Sequence, residues 1–191
     1  TALEPAPAMM EELRANLARN RLRNVTCIQA AWGKAEVPPH DLILVANVSP
    51  VFNDLLGFLT TAEPLARRAV ALVQNVGPGT EKFYFGELYP LLLGHPYPPR
   101  EDYLRTVTLL HSLGIYANLQ IISYHFDQPF ADLQEAVAFW KEQMRLEEPE
   151  QERRLIGFLQ TRLQRVGSRL VAPLRRQSAV IWWRVSPKDR P

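Results

Sequence analysis

Buried-strand patterns alternating with helical ones predict an α/β protein built on a doubly wound, mostly parallel sheet. Residues 41–47 (Asp-Leu-Ile-Leu-Val-Ala-Asn) and 69–75 (Ala-Val-Ala-Leu-Val-Gln-Asn) are apolar at consecutive positions, as strands covered by helices on both faces must be. Between them Leu55, Phe58 and Leu59 recur at helical spacing, so strand, helix and strand follow in order.

The remaining elements extend this alternation. Leu3-Glu4 ends a short strand, and Pro5 and Pro7 suit a helix entry because proline's fixed φ costs nothing before intrahelical N–H bonds begin. Met10, Leu13 and Leu17 then place a helix over about residues 6–19, followed by a strand at 25–29. Asn53 or Asp54 can cap the helix carrying Leu55. After residue 75 the Gly77-Pro78-Gly79 turn opens a long Pro- and aromatic-rich connection through Tyr84, His95, Tyr97 and Pro99, of a length often used for lids and binding loops. A helix over about residues 100–113 is ended by Gly114, and a strand lies within 116–126. Two helices follow, one burying Phe130, Leu133, Val137, Trp140 and Met144, the other Leu155, Leu159, Leu163 and Val166. Residues 179–185 form the last strand, and the polar tail after Ser186 is expected to fray.

Composition bounds the function. With 191 residues, 47% hydrophobic and 22% charged, the chain is expected to form a single domain over 1–191, with no apolar run approaching the roughly 20 residues of a membrane span. The lone Cys27 excludes an internal disulfide framework or a cysteine zinc site within one chain, which suits a reducing, cytoplasmic setting. No His/Asp/Glu group has metal-ligand spacing, so no metal is expected. A net charge of +2 is too mild to argue for nucleic acid. Charge is concentrated only over residues 153–176, where seven arginines stand without an acidic residue; Glu147, Glu148, Glu150 and Glu152 just before them point to a solvated, balanced face.

In a doubly wound sheet the ligand lies beyond the carboxyl ends of the strands, so those ends carry the functional signal. Ala2-Leu3-Glu4-Pro5, Ile28-Gln29-Ala30-Ala31-Trp32 and the 41–47 strand running into Val48 together resemble the class I S-adenosylmethionine-dependent methyltransferases. The resemblance covers nearly the whole chain. It implies a Rossmann-like sheet whose last strand is antiparallel, with a helical insertion over 127–170 before it. It also implies S-adenosylmethionine as cofactor, Glu4 and Pro5 at the ribose, Ala31 and Trp32 beside the adenine, and Asn47 and Val48 under the methionine half. One departure is plain: the family's first strand and glycine-rich turn would precede Thr1, where the sequence shows neither. The chain is therefore expected to begin at the fold's second strand, to bind cofactor poorly and to be inactive by itself. A gap is expected between the second and fourth strands of the fold, filled by an N-terminal segment or by a second copy.

Methyl transfer needs alignment and, for some nucleophiles, a base, so no catalytic motif is required and the catalytic residue is unknown. The aromatic connection favours a small organic acceptor, with Tyr84, His95 and Tyr97 as candidate contacts, although surface or packing roles suit them too; His40, His111 and His125 read as structural. Asn47-Val48-Ser49-Pro50 lacks the paired proline and stacking aromatic of amino-group methylases acting on bases. A nicotinamide-dependent oxidoreductase of the short-chain class would need lysine four residues after a tyrosine, and no tyrosine has one. A non-catalytic methyltransferase-like interaction module and an RNA or protein methyltransferase stand as alternatives.

Overall fold

The computed structural model describes residues 1–77, 82–98 and 103–185. They divide into two compact units, residues 1–71 with 183–185, and the described residues within 72–182.

In the first unit β1 (Ala2–Leu3) pairs in parallel with β2 (Cys27–Ile28), Ala2 opposite Cys27 and Leu3 opposite Ile28. Between them runs α1 (Pro7–Arg19), entered through Pro7 at the first helical position and anchored by the fully buried Met10. β3 (His40–Ala46) leads into α2 (Ser49–Asn53), α3 (Leu55–Leu65) and β4 (Ala66–Asn75). Asp54 caps α3 by accepting the Gly57 N–H at 3.1 Å. The two buried-strand patterns behave differently. β4 buries Val70, Ala71 and Leu72 in succession, as expected of a strand covered on both faces. β3 buries Ile43 and Val45, but Leu42 and Leu44 are 51% and 60% exposed, so within this unit the second face expected to be covered is bare.

The second unit holds α4 (Phe85–Leu93), α5 (Tyr103–Ser112), β5 (Asn118–His125), β6 (Gln128–Phe130), α6 (Leu133–Met144), α7 (Pro149–Arg162), β7 (Gln164–Val166), β8 (Arg169–Ala172) and most of β9 (Arg175–Arg184). The strand order is β3-β4-β9-β5. β9 runs antiparallel to β5, Asn118 facing Trp182 and His125 facing Arg175. It also runs antiparallel to β4: Val76 N–H donates to the Gln177 carbonyl and Val185 N–H to that of Arg68, so one number falls as the other rises. The last strand is thus the antiparallel member of a mostly parallel sheet, as the resemblance implied.

Three expectations need correction. The 83–99 segment is not an irregular connection, because α4 occupies its middle; Pro90 and the glycines hid the helix. Its start is unusual, with Phe83 and Tyr84 both left-handed at φ 52° and 58°. The insertion is not purely helical: β6, β8 and β7 form a three-stranded antiparallel sheet. Val166, placed on a helix by its spacing, belongs to β7 and is exposed. Gly114, at φ 77°, ends α5 as expected. Pro78, Gly79, Pro99, the expected helix start at Arg100 and the tail from Ser186 lie outside the described residues.

The core of this unit is where the helix stripes placed it. Phe130, Val137, Trp140, Met144, Leu155 and Leu159 are buried together, with Leu133 and Leu163 packed against them. Among the described residues no helix is long and apolar enough to cross a membrane.

Candidate functional site

The strand ends of the first unit are built by short-range hydrogen bonding. Glu4 N–H donates to the Ile28 carbonyl at 3.2 Å, and Ala30 N–H turns back to the same carbonyl at 3.0 Å, so Glu4 and the segment leading to Ala31 leave their strands side by side. The Glu4 carboxylate accepts the Ala6 N–H at 2.8 Å through one oxygen, at the mouth of α1, where the helix dipole favours a negative charge. Its second oxygen has no hydrogen-bond donor among the described residues. Pro5 and Ala31 are exposed.

Trp32 leans on α3, its indole N–H donating to Thr61 Oγ1 at 2.8 Å and its ring 5.1 Å from that of Phe58. The indole polar atom is therefore spent on the protein, and only its half-buried ring is left to meet a planar ligand. Asn47 ends β3 at φ 55°, a left-handed position that asparagine tolerates better than most residues. Val48 follows as the cap of α2, and both residues are exposed. A left-handed residue at a strand end is a common way to aim backbone at a ligand. At the other end of these strands, Thr1 Oγ1 and His40 Nε2 meet at 3.0 Å, tying the start of β1 to that of β3 through side chains.

In the second unit the candidate acceptor residues sit differently from one another. Tyr84 stacks on Trp140 at 6.0 Å and 13° and donates its hydroxyl proton to the Pro173 carbonyl at 3.0 Å. Tyr97 is buried against Phe85 and Tyr89. Both are packing residues in this structure, which is the plainer of the two roles the sequence offered. His95 is exposed, rests edge-on against Tyr89 and points Nδ1 at the Pro96 carbonyl at 2.9 Å. The arginine stretch is partly neutralised: Arg153 and Arg154 pair with Glu150, and Arg162 with Glu87. Arg165, Arg169 and Arg175 are exposed, whereas Arg176 is partly buried against Phe126 and Phe83, surroundings that left no mark in the sequence. Among the described residues no group of three or more His, Cys, Asp or Glu side chains could hold a metal ion.

Burial pushes the Tyr84 phenol up from 10.0 to about 12, the nearby Arg162 charge opposing the shift and Glu87 and Asp127 adding to it. A raised folded-state value means that the neutral phenol is favoured by folding. The contribution is whole below pH 10, and is lost between pH 10 and 12 as the unfolded chain ionises and the folded one does not. Discounted for partial solvent screening it is worth about 1 kcal/mol. Tyr84→Phe is expected to flatten that part of the stability–pH curve in urea titrations, and an unchanged alkaline slope would refute the assignment.

No family model matches the chain, and no curated protein matches it in sequence. Solved structures do match. A presumptive methyltransferase of Bacillus halodurans aligns over 96% of this chain and 81% of its own, with a TM-score of 0.51 and 14% identity. The YcgJ protein of Bacillus subtilis aligns over 94% and 80%, at TM-score 0.46 and 16% identity. Coclaurine N-methyltransferase bound to N-methylheliamine and SAH aligns over 95% and 59%, at TM-score 0.40 and 13% identity. At 14% identity and a TM-score of 0.51 the Bacillus halodurans structure shares its fold with this chain, and the antiparallel β9 between β4 and β5 accords with the class I methyltransferase fold.

Proposed function

We propose that the chain performs S-adenosylmethionine-dependent methyl transfer to a small organic acceptor, with the cofactor over the ends of β1, β2 and β3. The observation that carries this reading is the sheet itself, parallel except for β9, which an ordinary dinucleotide-binding fold would not contain. The residues at the strand ends fit the group. Glu4 has one carboxylate oxygen to offer to a ribose hydroxyl, Trp32 a ring to set against adenine, and Asn47 an exposed amide on a left-handed turn. Bound there, S-adenosylmethionine would supply an electrophilic methyl for in-line displacement, and the chain would contribute orientation more than proton transfer. Pro5, Ala31 and Val48 would line the same surface. The neutralised arginines of α7 favour a small acceptor over RNA or an acidic protein.

The reading also asks for one more strand. Among the described residues β1 pairs with β2 and β3 with β4, each leaving its other backbone edge without a strand partner. The Thr1–His40 side-chain contact brings the start of β1 near that of β3, and a strand inserted between two others would set them about two strand spacings, roughly 9.5 Å, apart. An apolar strand supplied by an upstream segment would satisfy both edges, and a helix following it would cover Leu42 and Leu44. Calorimetry with S-adenosylhomocysteine, on residues 1–191 and on an upstream-extended chain, tests both points. Micromolar binding by the extended chain and a loss of orders of magnitude in the shorter one are expected. Equal affinity in both would show the cofactor to be misplaced, and no binding by either would favour an interaction module.

A further inference from the structure

β5 forms one edge of its sheet, paired with β9 on one side and, among the described residues, with no strand on the other. One bond fixes which backbone groups lie on the free side. Phe126 N–H donates to the Leu174 carbonyl at 2.8 Å, continuing the β5–β9 ladder by one residue. An antiparallel strand turns the N–H and C=O groups of alternate residues to opposite sides, so the even-numbered residues of β5 bond β9, and Leu119, Ile121 and Ser123 turn theirs outward. Three polar side chains of the strand are engaged on β9: Asn118 donates to the Trp182 carbonyl, Ser123 accepts from the Gln177 amide and the Tyr124 hydroxyl meets that of Ser178. Leu119, Ile121 and Ile122 stay 43%, 40% and 39% exposed.

An edge of this kind is ordinarily guarded by charge, proline or a bulge. β3 carries Asp41, β6 Pro129 and β7 Arg165. β5 has no such guard: its register with β9 is unbroken from Asn118 to His125, and residues 106–126 contain no Asp, Glu, Lys, Arg or Pro.

We infer that β5 is the interface with a second copy of this chain, the two strands pairing antiparallel about a two-fold axis normal to the sheet. Neutrality selects the occupant. A strongly charged partner finds no counter-charge on this strand, whereas a copy of it meets no like charge and matches it in length and apolar character. The two-fold axis keeps each face of the sheet with its like, so a residue meets one an even number of positions away, and the outward-turned Leu119, Ile121 and Ser123 are brought to one another. Centred on Ile121, the pairing sets that residue against its own counterpart and Leu119 opposite Ser123. The eight residues span roughly 27 Å, and the exposed Tyr116 just ahead of them adds apolar surface at one end. The product is an antiparallel array in the order β9, β5, β5, β9. This contact is separate from the edges of β1 and β3, and it stands whether or not the chain transfers methyl groups.

Sedimentation equilibrium and amide hydrogen exchange on the 1–191 chain test this together. A monomer–dimer equilibrium is expected, with exchange at Leu119, Ile121 and Ser123 slowing as the dimer fills. Ile121→Lys puts like charges face to face at the axis and should weaken dimerisation at least about tenfold. Leu44→Lys, on the exposed face of β3, should leave it unchanged. A dimer lost in Leu44→Lys and kept in Ile121→Lys would move the contact to β3 and overturn the proposal. A monomer at every concentration up to about 1 mM would leave the edge to a different chain and overturn it as well. Should Ile121→Lys fail to fold, exchange on the unaltered chain decides alone: equal rates at the three outward amides in monomer and dimer would refute the pairing.

Discussion

Trp140→Ala is expected to abolish cooperative folding of the 72–182 unit or to leave it barely stable. Trp140 is fully buried on α6, within ring contact of Phe83, Tyr84, Phe130 and Phe139. Truncating a buried tryptophan costs about 3–5 kcal/mol in lost burial and residual cavity. The indole also satisfies the Phe83 carbonyl in a turn whose left-handed backbone has no intrinsic reason to persist, and orphaning that oxygen adds about 1–3 kcal/mol. Against the roughly 5–15 kcal/mol that holds a typical domain together, the sum removes most of the margin. Trp140→Phe separates the two effects, since it keeps a ring and loses the donor, and should cost less. Urea unfolding followed by near-ultraviolet circular dichroism is the measurement. A cost below about 1 kcal/mol for the alanine variant would mean that the aromatic cluster is not the core of this unit.

Glu4→Gln is expected to weaken S-adenosylhomocysteine binding by the upstream-extended protein about ten- to a hundredfold while leaving its melting temperature nearly unchanged. The substitution is chosen for what it preserves. A glutamine carbonyl oxygen can still accept the Ala6 N–H, so the entry to α1 survives. What is lost is the negative charge on the outward oxygen, and a hydrogen bond to a charged acceptor is worth about 1.5–3 kcal/mol. Glu4→Ala should lose affinity as well and also destabilise α1, by roughly the 0.5–2 kcal/mol of a helix-entry contact. Calorimetry and thermal unfolding on the same samples separate the two. A glutamine variant that binds as tightly as the parent would remove Glu4 from the cofactor site.

Elements with a strong local signature were legible in the residues. β4 could be read because buried apolar positions are consecutive, and α6 and α7 because their apolar stripes recur at helical spacing. Elements defined by pairing were not. β7 and β8 are three and four residues long and carry Gln164, Arg165 and Arg169, so nothing in them announces a strand until β8 lies between β6 and β7. The polar first half of β9, Arg175 to Ser178, was missed for the same reason: its partners on β5 make it a strand. α4 was concealed by Pro90 and by an entry through two left-handed aromatic residues.

The sequence by itself therefore determined the α/β alternation, the core stripes and the residues that end β1, β2 and β3, since these depend on periodicity and on strong turn and cap formers. Tertiary structure decided how those residues are spent. Trp32 gives its N–H to Thr61, Tyr84 gives its hydroxyl to Pro173, and Leu42 and Leu44 on β3 stay uncovered. It also singled out Arg176 from a run of similar arginines by setting it against Phe126 and Phe83. The physical reason is range: helix and strand preferences act over a few neighbouring residues, whereas the environment of a charge is set by side chains that only the folded chain brings together.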